Sequence, residues 1–74
     1  MKNIAIRTDN ITLGQFLKLS DCISTGGQAK IFLQETQVWV NGEPENRRGK
    51  KLVEGDHIRV QGAGEFRVVR ESCS

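Results

Sequence analysis

Val38-Trp39-Val40-Asn41-Gly42 is where the chain changes its apolar period. Val38 and Val40 fall on one side of an extended segment and Trp39 on the other, and Asn41-Gly42 is the strongest short turn signal in the chain. Upstream of Val38 the apolar residues recur at spacings of three and four; downstream they alternate at two. Helices first and strands after is an α+β layer architecture, expected here as two short packed helices followed by a small, mostly antiparallel sheet.

Immediately upstream, Thr25-Gly26-Gly27-Gln28 has the Thr-x-x-Gln spacing of a capping box, and a helix runs from it to about Glu35 with Ala29, Phe32 and Leu33 as its apolar stripe. Thr12-Leu13-Gly14-Gln15 has the same form. It predicts a helix from Leu13 to Ser20, with Ile11 and Phe16 placed as a hydrophobic staple and Leu13, Phe16 and Leu17 on one face. Helices this short lean on a partner, and the brief connection between them makes each the other's neighbour. Ahead of them Ile4, Ile6 and Thr8 alternate as a short edge strand closed by Asp9-Asn10.

Downstream of Gly42, residues 43–51 are polar and irregular, and Leu52 and Val53 lead into an Glu54-Gly55-Asp56 turn. Ile58 and Val60 alternate with His57 and Arg59 in a second strand; after Gln61-Gly62-Ala63-Gly64, Phe66 to Arg70 forms a third that pairs with it as a hairpin. Seventy-four residues, 36% hydrophobic and 27% charged, make one small domain over 1–74 that folds around a marginal core.

Several chemistries lack their parts. With one histidine, His57, and two cysteines, Cys22 and Cys73, a zinc site is short of ligands, and no other metal or cofactor is expected. The thiols read as a half-buried one and a tail one in a reducing cytosol rather than a disulfide framework. No apolar run reaches the length of a membrane span, and the start at Met1-Lys2-Asn3 is too polar for a signal peptide, so a cytoplasmic place and no membrane partner are expected. Glu43, Glu45 and Glu54 are not differentiated as an acid and base pair, and Cys22 with His57 is the one thiol–imidazole combination. A non-catalytic chain is the expectation.

Charge placement says more than the net +2 from eleven Lys/Arg and nine Asp/Glu. Asn46-Arg47-Arg48-Gly49-Lys50-Lys51 holds four cations in six residues. They either neutralise phosphates, with Arg able to fork onto one, or pair with Glu43, Glu45 and Glu54 in a solvated loop. Thr25-Gly26-Gly27-Gln28 offers backbone donors with no Cβ in the way of a phosphate, and Lys30 follows within a turn. The other reading of Gly26 and Gly27 is that they let the two helices come close. Trp39 likewise has two readings, stacking on a base or covering the sheet from its far side.

These motifs together resemble the S4 RNA-binding domain. The resemblance rests on Leu13, Phe16 and Leu17, on Thr25 to Lys30, and on Val38 to Gly42 ahead of Gly55-Asp56-His57-Ile58-Arg59-Val60, covering about residues 12–60. Gly26-Gly27-Gln28-Ala29-Lys30 and Asn46 to Leu52 are similar to the small stand-alone bacterial proteins of the YaaA/YbcJ type. Such a resemblance implies an S4-like (α-L) fold in which a helix pair and adjoining strands lay a positive surface on structured RNA, ribosomal or transfer RNA. Many members open their helices with Arg-Leu-Asp-Lys and Ser-Arg; here the same places read Thr12-Leu13-Gly14-Gln15 and Thr25-Gly26, and the loop cations take over part of that role.

The expected function is therefore that of a monomeric RNA-binding module, associated with the ribosome. Its candidate contacts are Lys18, Thr25, Gly26, Gly27, Gln28, Lys30, Arg47, Arg48, Lys50 and Lys51. The alternative is a protein-interaction adaptor for the ribosome or its assembly factors, anchored by Trp39.

Overall fold

The computed structural model describes residues 2–71. Strand β1 (Lys2–Ile6) is followed by β2 (Asn10–Thr12), helix α1 (Leu13–Leu19), a single 3₁₀ turn (Gly26–Gln28) and helix α2 (Ala29–Glu35). Five strands complete the chain: β3 (Val38–Val40), β4 (Glu43–Pro44), β5 (Lys51–Val53), β6 (His57–Val60) and β7 (Gly64–Arg70). They form a five-stranded sheet in the order β1-β7-β6-β3-β4 and a separate two-stranded ribbon of β2 with β5. This is the α+β architecture expected, with two short helices and a mostly antiparallel sheet.

The sheet is not built only from the chain after the helices. β1 is an edge strand, as its alternation predicts, but it pairs parallel with β7, Lys2 opposite Phe66 through Ile6 opposite Arg70. The first and last strands are thus neighbours, and both helices and the other five strands lie between them in the chain. β1 ends at Ile6 rather than Thr8, because the Thr8 hydroxyl donates to the Asn10 carbonyl at 2.7 Å and turns the chain into β2.

One face of the sheet is buried. Val38, Val40, Ile58, Val60, Phe66 and Val68 alternate inward and join Leu13, Phe16, Leu17, Ala29, Leu33 and Leu52 in one core. Phe16 meets Phe66 edge-on, ring centroids 5.7 Å apart, which fixes α1 against β7.

The α1 capping box forms as its sequence predicts: the Gln15 amide donates to the Thr12 hydroxyl and the Thr12 amide donates to the Gln15 side chain, each at 3.3 Å. The helix ends at Leu19, one residue before the expected Ser20. Its stop is a Schellman turn in which the Cys22 amide donates to the Leu17 carbonyl (3.0 Å) and the Asp21 amide to that of Lys18 (3.2 Å), with Asp21 at a φ of 62°. Cys22 is a half-buried free thiol, as expected; Cys73 lies outside the described residues.

The start of the second helix differs from its expectation. Gly26–Gln28 is a 3₁₀ turn, closed by the Gln28 amide donating to the Thr25 carbonyl at 3.1 Å, and the α-helix begins only at Ala29. Two glycines in succession contribute too little helix propensity to hold the wider α turn.

Asn41-Gly42 makes the hairpin it predicts, with φ of 53° and 86°, and joins β3 to β4. The β6–β7 hairpin also forms, with Val60 opposite Gly64, so β7 starts two residues before Phe66. Strands β4 and β5, inside or beside the segment read as irregular, are additions. A strand of two or three residues contributes one inward side chain, Leu52 in β5, and one residue is no period.

Candidate nucleic-acid interface

The loop between β4 and β5 carries Arg47, Arg48 and Lys50, with Lys51 opening β5, and its backbone is fastened at both ends. The Leu13 amide donates to the Lys50 carbonyl at 2.7 Å and the Gly14 amide to the Arg48 carbonyl at 2.9 Å. With Gln15 served by Thr12, the first three amides of α1, which no helical carbonyl can satisfy, all have partners. The basic loop is thus the cap of α1.

Gly14 makes this contact close. A Cβ built there would lie 3.5 Å from both the Ala29 Cβ and the Arg48 carbonyl, ordinary contact distance, so α1, α2 and the loop meet at this residue. The close approach foreseen for Gly26 and Gly27 is not there. A Cβ at Gly26 would meet nothing within 4 Å, and one at Gly27 only the Thr25 hydroxyl at 3.9 Å.

Glu45 fastens the other end. Its carboxylate accepts from the Asn46 amide (3.2 Å), the Arg47 amide (3.3 Å) and the Arg47 Nε (3.2 Å). The Glu45 side chain is 12% exposed and that of Arg47 76%, so the carboxylate is the more enclosed partner of the pair. The Arg47 side chain, aided by these amides, holds the Glu45 carboxyl below its ordinary range, and the Glu45 carboxylate in turn raises Arg47.

Of the three acidic partners considered for the loop cations, only Glu45 takes one. Glu54 instead accepts from the Arg70 amide at 3.4 Å. Arg48, Lys50 and Lys51 are exposed and form no ion pair among the described residues. With their backbone committed to α1 and the β2–β5 ribbon, they project as three free cations on a rigid support.

Several of the ten predicted contacts border separate hollows. Arg48, Gly26, Gly14 and Gln15 share a shallow depression of about 310 Å³, which joins the loop to the glycine turn. Lys50 and Lys51 border a second hollow with Glu43 and Asp56, and Lys30 a third with Glu45 and Asn46. Lys18 lies apart, beside Arg7, Ile11 and Leu19. Thr25 and Gly27 are exposed at the 3₁₀ turn. Gln28 is partly spent on structure, because its side-chain oxygen accepts from the Ser24 amide (2.7 Å) and the Thr25 amide (3.2 Å).

Cys22 and His57 are not brought together. Cys22 accepts from the Ser20 hydroxyl at 3.2 Å next to the helices, whereas the half-buried His57 is on β6 with its Nε2 3.0 Å from Glu65 Oε1. Among the described residues no group of three or more His, Cys, Asp and Glu could hold a metal ion, and no helix is long and apolar enough to cross a membrane.

The S4 domain model matches residues 4–69. The chain belongs to the S4 domain family. The match runs from β1 to β7, so the paired first and last strands are part of the S4 domain and not extensions to it. The S4 domain described here is also similar to the probable ribosome maturation protein RlbA of Bacillus subtilis, with 59% identity over 66 residues that cover 89% of this chain and 93% of that protein. No solved structure matches.

Two features of this site are not legible as sequence patterns: the packing of Gly14 against Ala29 and the loop, and the pairing of Glu45 with Arg47. Gly14 at the second position of a helix is a usable signal; the Glu45 pairing depends on the course of the loop.

Proposed function

We propose that this S4 domain is a non-catalytic RNA-binding module that acts in ribosome maturation in the cytoplasm, holding structured RNA through its basic loop. The observation that carries the reading is the fastening of that loop. Its carbonyls cap α1 and its root is Glu45, so Arg48, Lys50 and Lys51 stand free with their backbone already ordered. Binding then costs little further backbone entropy, which favours the contact. Gly26 lies beside Arg48 with open space where a Cβ would be, so a phosphate held by Arg48 has access to the backbone of the glycine turn. Lys30 and Lys18 extend the surface, and Thr25, Gly27 and Gln28 border it.

One relative supports the ribosomal setting. A protein 59% identical carries the name of a probable ribosome maturation protein, and the likeness covers nearly all of both chains. Charge reversal at Arg48 and Lys50, whose contacts to α1 are made by their backbone carbonyls, tests the reading, with binding of ribosomal RNA fragments measured by fluorescence anisotropy. R48E/K50E is expected to weaken binding at least tenfold while the fold, followed by circular dichroism, is unchanged. Equal affinity of variant and parent contradicts it.

A further inference from the structure

The five-stranded sheet has a second face that the core does not use. Trp39, Arg59 and Glu65 lie side by side across β3, β6 and β7, and His57 and Arg67 lie side by side in the next row. All five alternate with buried residues, so they share the face turned away from the helices. Trp39 is half-buried, and the Arg59 guanidinium carbon sits 5.1 Å from its ring centroid. Glu65 is 3.0 Å from His57, and Arg67 is exposed with no ion pair among the described residues.

This row is not needed to close the core. Val38 and Val40, 0% and 6% exposed, do that from the other side of the same strand. A tryptophan on the open face leaves apolar surface in water where a polar residue would serve the strand as well. The chemistry of the patch is one aromatic plane, a guanidinium lying over it and a second guanidinium a row away, against one carboxylate that faces a histidine. Every nucleobase has a π-face that stacks on such a plane, and the free guanidinium complements a phosphate.

We infer that this open sheet face is a second RNA contact, at which the Trp39–Arg59 pair stacks an unpaired base and Arg67 neutralises a phosphate of the same strand. The inference rests on the RNA-binding reading above. It commits to single-stranded RNA because a base inside a duplex already has both faces covered by its neighbours. The basic loop is tied to the start of α1, whereas these residues are on the sheet face turned away from the helices, so the two contacts are separate surfaces that engage different segments of RNA.

Trp39 is the only tryptophan and the chain has no tyrosine, so its emission reports this face directly. The full chain is titrated with a protein-free single-stranded oligoribonucleotide and with a duplex of the same length. Trp39 emission and the anisotropy of labelled RNA are read in parallel. The single strand quenches Trp39; W39A and R67E weaken its binding about tenfold, and W39F retains most of the affinity. Duplex affinity is the same in all four proteins. RNA that binds by anisotropy with Trp39 emission unchanged, in a chain where W39A binds as the parent does, confines RNA to the loop and overturns the inference alone. Absence of RNA binding at low salt overturns both readings. Emission that responds to ribosomal protein but not to RNA assigns the face to a protein partner and also overturns it. The emission measurement needs no variant, so an unfolded W39A leaves the test intact.

Discussion

Glu45 and Gly26 carry the two sharpest consequences at the scale of single residues. The Glu45 carboxyl is held below its ordinary range by Arg47, so the carboxylate form is favoured in the folded loop. Its contribution to loop order is therefore complete above the ordinary carboxylate range and is lost only as pH falls through the depressed value. In an NMR titration the Glu45 carboxyl and the Asn46 and Arg47 amides should move together, below the pH at which an unperturbed glutamate titrates. Amides that do not follow the carboxyl would separate Glu45 from the loop. Gly26 has open space around it and a φ outside the positive region, so Gly26→Ala should leave stability within about 0.5 kcal/mol. Its effect belongs to RNA affinity, which should fall several-fold in the anisotropy assay if a phosphate reaches the backbone at this point. A large loss of stability would restore packing as the reason for the glycine.

At the scale of elements, the join between the β3–β4 hairpin and β6 is the feature that gives the Val-x-Val-Asn-Gly and Gly-Asp motifs a physical cause. The Asn41 side chain accepts from the His57 amide at 3.0 Å and donates to Asp56 at 3.2 Å, while Asp56 accepts from the Val53 amide at 2.9 Å. Two turns separated by fifteen positions are thereby locked to one another. Asn41→Ala removes two hydrogen bonds and places a Cβ-bearing residue without a local partner at a φ of 53°. The expected cost is about 2 kcal/mol in urea unfolding; an unchanged midpoint would show that Gly42 and the strand pairing suffice.

The same elements show what sequence reading can reach. Both helices, the Asn41-Gly42 turn, the β6–β7 hairpin and the inward faces of β3, β6 and β7 are local patterns, and each of them forms. The parallel pairing of β1 with β7 joins residues more than sixty positions apart, and no local period specifies such a neighbour. β2 and β5 are three residues each, with one inward side chain apiece, so they have no alternation to read. The candidate site was legible as composition, four cations in six residues, but not as geometry. That Arg47 pairs with Glu45 and that the carbonyls of Arg48 and Lys50 cap α1 depends on where the loop returns, which the β2–β5 pairing sets.

The whole molecule is a rigid frame with cations displayed on it. Its net charge of +2 is small, and the loop concentrates four of the eleven basic residues between positions 47 and 51. A diffuse surplus would give weak, unplaced attraction to RNA. Cations fixed by a helix cap instead displace a definite number of counterions. The most direct test of this account is the salt dependence of RNA binding by the unmodified chain, compared with R48E/K50E. Three free cations that each neutralise one phosphate predict a slope of log K against log salt of roughly −2.1 to −2.7, about twenty- to forty-fold between 50 and 200 mM, with a shallower slope in the variant. Binding with no salt dependence, or a slope the variant leaves unchanged, would contradict the claim that the loop holds the RNA.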